Sequence, residues 1–181
     1  PSQIMENWAF APEVLATYAR HWQTGEPIPA ALVEKIEQTQ RFNQGFKSVE
    51  YLAASYLDME WHTLAAAAAP DTDTLERIAL ARIGMPREIV PRYRSSYFQH
   101  IFGGGAGYSA GYYSYIWAEV LDADAFEAFR EKGLFDPETA RAFRTEVLEK
   151  GGSEDAMTMF VRFRGREPSV APLLVKRGLD L

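Results

Sequence analysis

Apolar residues recur at helical spacing through most of this sequence, and turn-forming breaks cut the pattern into pieces of helical length. The breaks fall at 24–29, 69–73, 84–87, 103–107, 133–137, 151–153 and 165–168, each rich in residues that favour turns over regular structure. Between them, Leu32, Val33 and Ile36 mark a helix from 30 to about 39, and Phe46, Val49, Leu52, Ala53, Tyr56 and Leu57 form a stripe along 44–68. Asp73 precedes Leu75, Ile78, Ala79 and Ile83, and Asp136 with Pro137 precedes Ala140, Phe143 and Val147, so each is an N-cap candidate. Ser153 is a third, with Glu154 and Asp155 behind it where the helix dipole favours negative charge.

Only 97–102, aromatic and β-branched and ending in glycines, has strand character. One short strand makes no sheet, so the expected fold is all-α, with at most a short strand or hairpin near the glycines. The chain has 181 residues, enough for one core. Its 19 basic and 25 acidic residues leave a net charge of −6, which gives no reason to approach nucleic acid or an anionic membrane. The chain has no cysteine, which excludes disulfides and thiolate chemistry and fits a cytoplasmic location. No apolar run is long enough to span a bilayer.

The densest functional candidate runs from His100 through Gly103, Gly104, Gly105 and Gly107 into Tyr108, Tyr112, Tyr113, Tyr115 and Trp117. Glycine lets a backbone approach a ligand closely, since no Cβ intervenes. Tyr108, Tyr112 and Tyr115 stand at i, i+4 and i+7, so a helix beginning near Tyr108 would present three hydroxyls on one face, with Tyr113 and Trp117 turned to the core. Spacing alone favours a half-buried packing stripe. The adjacent glycines and histidine add weight to a loop that closes over a substrate and offers it hydroxyl donors.

Two other chemistries find only part of their pattern in these residues. Gly105-Ala-Gly107-Tyr-Ser-Ala110 matches a dinucleotide-binding fingerprint, with Asp122 and Asp124 where a ribose ligand would stand. The segment after 121 continues as helix and offers no second buried strand, so the βαβ context fails. His21, His62 and His100 are the only histidines, and none pairs with another at metal-ligand spacing on a helix. His62 and His21 read as structural. No metal site is expected from this chain alone.

The opening Pro1-Ser-Gln-Ile-Met-Glu-Asn-Trp8, the segment from Tyr93-Arg-Ser-Ser-Tyr-Phe-Gln-His100 through Tyr115 and Trp117, and the closing Phe163-Arg-Gly-Arg-Glu-Pro168 with Leu173, Leu174, Gly178 and Leu179 together resemble one family. It is the zinc metallopeptidase family of thimet oligopeptidase and peptidyl-dipeptidase, and the resemblance covers essentially the whole chain. It implies that 1–181 is the C-terminal part of a larger helical catalytic domain, with the natural C-terminus present. The third zinc ligand, a glutamate, would lie two residues before Pro1, and the H-E-x-x-H helix further upstream, so the zinc-binding motif is not included.

Carried over by residue, the resemblance implies that Tyr115 and Tyr108 donate hydrogen bonds to the oxyanion and adjacent backbone. Tyr112 and His100 would position substrate, with Gly104 and Gly105 letting the loop close. Zinc belongs to the full-length parent, and the isolated chain is expected to be inactive. The expected partners are short peptide substrates and the missing N-terminal part of the same protein, with no nucleic acid and no membrane. A cut domain is also expected to expose apolar surface. The competing expectation, from another class, is a non-catalytic helical module that binds a peptide or protein along the Tyr108–Tyr115 face.

Overall fold

The structure is a computed structural model that describes residues 2–65, 70–103 and 107–180. Those residues are helical in architecture and contain no sheet, only an isolated bridge between Arg20 and Pro27. In chain order the helices are α1 Ser2–Ala9, α2 Pro12–Tyr18, α3 Ala30–Arg41, α4 Gln44–His62, α5 Thr72–Arg82, α6 Gln99–Phe102, α7 Ser114–Lys132, α8 Pro137–Phe143, α9 Ala156–Arg164 and α10 Ala171–Arg177. A 3₁₀ turn covers Ser95–Tyr97, and a π-helical stretch, Arg144–Leu148, extends α8.

The chain divides into two compact units, one of Pro1–Phe42 with Trp117–Leu181 and one of Asn43–Ile116. In the first unit, Ile4, Ala125, Phe129, Phe143 and Phe160 form the core, and Trp8 sets its ring edge-on to Phe126 and Phe129, each at 4.7 Å. Here Asp136 caps α8 as the sequence predicts, its carboxylate accepting from the Thr139 N–H and hydroxyl at 2.7 Å each. The cap of α9 is Asp155, which accepts from the Thr158 N–H at 2.8 Å; Ser153 lies in the preceding bend. A carboxylate there also gains from the helix dipole. Gly165 ends α9 at φ +77, a left-handed conformation that glycine adopts without strain.

Asp124 is the most heavily bonded residue of this unit. It is 0% exposed and accepts from Arg166 at 2.6 Å, from the Arg164 Nε at 3.0 Å and from the Ser169 N–H at 2.5 Å. Burial pushes its carboxyl up, but these donors outweigh burial and hold it below the ordinary range. A carboxylate so occupied serves the fold, and Asp122, 7% exposed, accepts from the Asn7 amide at 2.6 Å, so both candidates of the ribose-ligand reading are engaged within the protein.

In the second unit, Ala54, Leu57, Ala79, Phe98, Ile101 and Tyr112 make the core. The α4 stripe is only partly legible from spacing: Ala53 and Leu57 are buried, while Phe46 and Tyr56 stay exposed. The helix stops at His62 rather than running to 68. The cap of α5 is Asp71, accepting from the Thr74 N–H at 2.9 Å, and Asp73 sits in the first turn, bonded to Arg94. The expected strand over 97–102 is absent. Glu76, 5% exposed, accepts from the Ser95 N–H at 3.0 Å and from the Arg94 Nε at 2.7 Å, and so bends the chain into the 3₁₀ turn that leads to α6.

Candidate functional site

The 3₁₀ turn and α6 carry Phe98 into the core at 1% exposure and leave His100 outside, with Tyr93 between them. The Tyr93 ring stacks on Phe98 at 4.9 Å and meets His100 at 4.9 Å. At the end of α6, Gly103 is required by packing, because a Cβ there would lie 2.7 Å from the Gln99 carbonyl oxygen. Gly104 and Gly105, assigned to loop closure from the sequence, lie outside the described residues.

The expected helix start at Tyr108 is displaced. Turns linked by Gly111 N–H to the Tyr108 carbonyl at 2.9 Å and by Ser114 N–H to the Gly111 carbonyl at 3.0 Å occupy this segment, and α7 begins at Ser114. Ala110 explains the interruption: it has φ +54, which no α-helix continues through. The tyrosines converge nonetheless. The Tyr108 and Tyr115 rings stack with centroids 5.7 Å apart, and the Tyr115 hydroxyl donates to the Tyr108 hydroxyl at 2.6 Å. That bond is the main cause of the raised Tyr115 pKa.

Tyr112 sits differently from its neighbours. It is 7% exposed against 36% for Tyr108 and 39% for Tyr115, and burial pushes its phenol up to about 12. Its ring stacks on Tyr51 at 5.6 Å and stands edge-on to Tyr115 at 5.5 Å and to His100 at 6.3 Å. Tyr113 and Trp117, expected in the core, are 51% and 44% exposed. Once the helix starts after the stripe, helical phasing from Tyr108 no longer applies to them.

His100, Tyr108, Tyr112 and Tyr115 thus lie in one aromatic cluster, although the helix that the tyrosine spacing called for is not what gathers them, with His100 6.1 Å from the Tyr108 ring. Sequence reasoning missed three members of the site. Tyr93 and Tyr51 were not singled out because they lie far along the chain from the stripe. Asp58 was hidden among the acidic residues, although its i, i+4 spacing to His62 was a readable signal.

The remaining histidines are engaged. The His21 ring accepts from the Gln23 and Thr24 N–H groups at 3.4 and 3.2 Å, and His62 lies 2.8 Å from the Asp58 carboxylate. Among the described residues, no three of His, Cys, Asp and Glu stand close enough to hold a metal ion. No helix among them is long and apolar enough to cross a membrane.

The model of peptidase family M3 matches residues 1–179. The chain is 44% identical over 183 residues to the dipeptidyl carboxypeptidase of Escherichia coli, covering 100% of this chain and 27% of that protein. It is 41% identical over 184 residues to oligopeptidase A of the same organism, covering 99% and 26%. To saccharolysin of Saccharomyces cerevisiae it is 32% identical over 183 residues, covering 99% and 25%. The chain therefore spans about a quarter of the length of the curated relatives it matches.

Proposed function

We propose, on the premise that this chain belongs to peptidase family M3, that it is the C-terminal part of the catalytic domain of a zinc-dependent hydrolase of short peptides. In this reading it supplies the substrate-binding and oxyanion-stabilising side of the cleft. The observation that carries the reading is the bonded pair of half-exposed phenols, Tyr115 and Tyr108, standing beside His100. A hydroxyl has one hydrogen to give. When Tyr115 spends its hydrogen on Tyr108, the Tyr108 hydrogen stays free, and its oxygen, already accepting, becomes the better donor.

Such a donor suits the negative charge that grows on a carbonyl oxygen during peptide hydrolysis, where removing one donor costs on the order of 10²-fold in turnover. His100, exposed beside Tyr93 and Tyr108, is assigned to the substrate backbone. Tyr112 is assigned to the back wall of the same subsite, since its ring is buried. Gly104 and Gly105 are assigned to closing over the bound peptide.

Among the described residues no group could hold zinc, and, following the resemblance, the metal and its ligands are assigned to a part of the parent upstream of this chain. There zinc would act as the Lewis acid that activates water. The relatives' names, dipeptidyl carboxypeptidase and oligopeptidase, support short peptides as the substrate class. A cytoplasmic location is proposed on the lack of cysteine.

The test compares the 181-residue chain with the chain extended upstream through its metal-binding helix, measuring zinc content and hydrolysis of a quenched fluorescent peptide. Stoichiometric zinc and activity in the extended form alone are expected. No zinc in either form would overturn the peptidase reading in favour of a helical peptide-binding module.

A further inference from the structure

The turn that carries the tyrosines hangs from a carboxylate on another helix. Asp58 of α4 is 0% exposed. Its Oδ1 accepts from the Ala110 N–H at 2.9 Å and its Oδ2 from the Tyr112 N–H at 2.9 Å. One helical turn on, the His62 Nδ1 lies 2.8 Å from the same carboxylate and is hydrogen-bonded with the Asp58 carbonyl oxygen at 2.9 Å. The His62 ring in turn stands 6.0 Å from Phe102, which ends α6. The Ser109 hydroxyl donates to the Ile101 carbonyl at 2.9 Å, and the Tyr51 hydroxyl donates to the Tyr112 carbonyl. Both ends of the glycine segment are therefore tied to one turn of α4 or to each other.

We propose that Asp58, with His62 behind it, is a positioning residue that sets the Tyr108–Tyr115 phenol pair for catalysis; this rests on the peptidase reading above. A buried carboxylate is costly unless its lone pairs are used, and here they are spent on two backbone N–H groups of a single turn. Between those two groups the chain passes through Ala110 at φ +54, a conformation that a residue with a Cβ holds only when its surroundings impose it. Asp58 imposes it. The turn leaves Tyr108 two residues before the first bonded N–H and Tyr115 three residues after the second, which fixes how the two rings meet.

Aspartate is needed here rather than asparagine. An amide of the same shape offers one oxygen, and its NH₂ would face the other backbone N–H, donor against donor. Asp58→Asn therefore keeps the volume and releases half of the turn. A displacement of about 1 Å in a catalytic group costs on the order of 10²-fold.

The experiment is made in the complete parent protein, with 3-fluorotyrosine placed at position 108 or 115 and read by fluorine NMR alongside steady-state kinetics. Asp58→Asn is expected to lower kcat by about tenfold or more, to leave KM within about threefold, and to move both fluorine resonances. Asp155→Asn, which alters a carboxylate cap on α9 in the other compact unit, is the control and should do none of these. His62→Ala keeps the test open if Asp58→Asn fails to fold: a smaller change of both readouts in the same direction is expected. Unmoved fluorine resonances in either variant, or a kcat equal to that of the control, would overturn the proposal. A wild-type parent without peptidase activity would sink the peptidase reading alone, and the fluorine shifts would still decide whether Asp58 sets the phenols.

Discussion

The hydrogen that Tyr115 gives to Tyr108 makes the two phenols one device, so their removal should not act independently. In the complete parent, Tyr115→Phe and Tyr108→Phe are each expected to lower kcat by about 10²-fold with KM nearly unchanged, and the double variant to fall far short of the product of the two. Steady-state kinetics on the three variants checks this, and an unchanged turnover number would remove that residue from the mechanism. Helical spacing named the pair, but the structure brings it together by another route: α7 starts only at Ser114, and the turn through Ala110 sets the two rings face to face. The burial of Tyr112 was not legible, because it depends on Tyr51, which is far away in sequence. Asp124 belongs to the same class of hidden residues: its donors lie on Arg164, Arg166 and Ser169, and no spacing rule connects them. Its folded pKa is depressed, so its contribution to stability is complete above the unfolded value of about 3.9 and is lost as pH falls through the folded value. Asp124→Asn should flatten that acid limb and lower stability at neutral pH by about 3–5 kcal/mol, since the 9%-exposed Arg164 guanidinium loses its buried partner. Denaturant unfolding across pH reads both effects.

Among the elements, the existence of the main helices followed from period and punctuation, whereas their first residues followed from which carboxylate reaches an N–H. Asp136 could be placed because Pro137 fixes the first helical position beside it. Asp73 and Ser153 were each two residues from the true cap, Asp71 before α5 and Asp155 before α9. Neither Asp71 nor Asp155 is followed by a proline at the first helical position: Thr72 follows the one, with Pro70 before it, and Ala156 the other. The structure thus separates two neighbouring aspartates by role. Asp71→Ala should lower the thermal midpoint of unfolding, because it leaves the Thr74 N–H without its acceptor, while Asp73→Ala should scarcely move it, because an exposed ion pair with Arg94 contributes little. Equal shifts for the two would place the cap at the wrong residue. The false strand over 97–102 has an equally local cause: the aromatic pattern is real, but Glu76 on α5 holds the Ser95 N–H and turns the chain before any extended segment can form. A long-range polar bond overrode a short-range preference, and only the first of these is invisible in sequence.

At the scale of the molecule, the described residues leave large apolar side chains in water: Trp22 is 84% exposed, Phe42 71%, Phe135 69% and Val90 64%. Single exposed hydrophobics are ordinary, but several aromatic rings at this level are a load that a free-standing domain seldom carries. The relatives are about four times as long as the matched segment, and in the proposed reading the remainder of a parent protein would cover these side chains. The isolated 181-residue chain should then bury them against copies of itself. Light scattering behind a sizing column is expected to give a mass above the 20.4 kDa monomer that rises with concentration, together with binding of a hydrophobic dye. The extended parent should bind less dye per mole and keep one mass across the same range. A monodisperse, dye-free monomer from the isolated chain would mean that its own two cores suffice, and that these apolar side chains have some role other than contact with the rest of a catalytic domain.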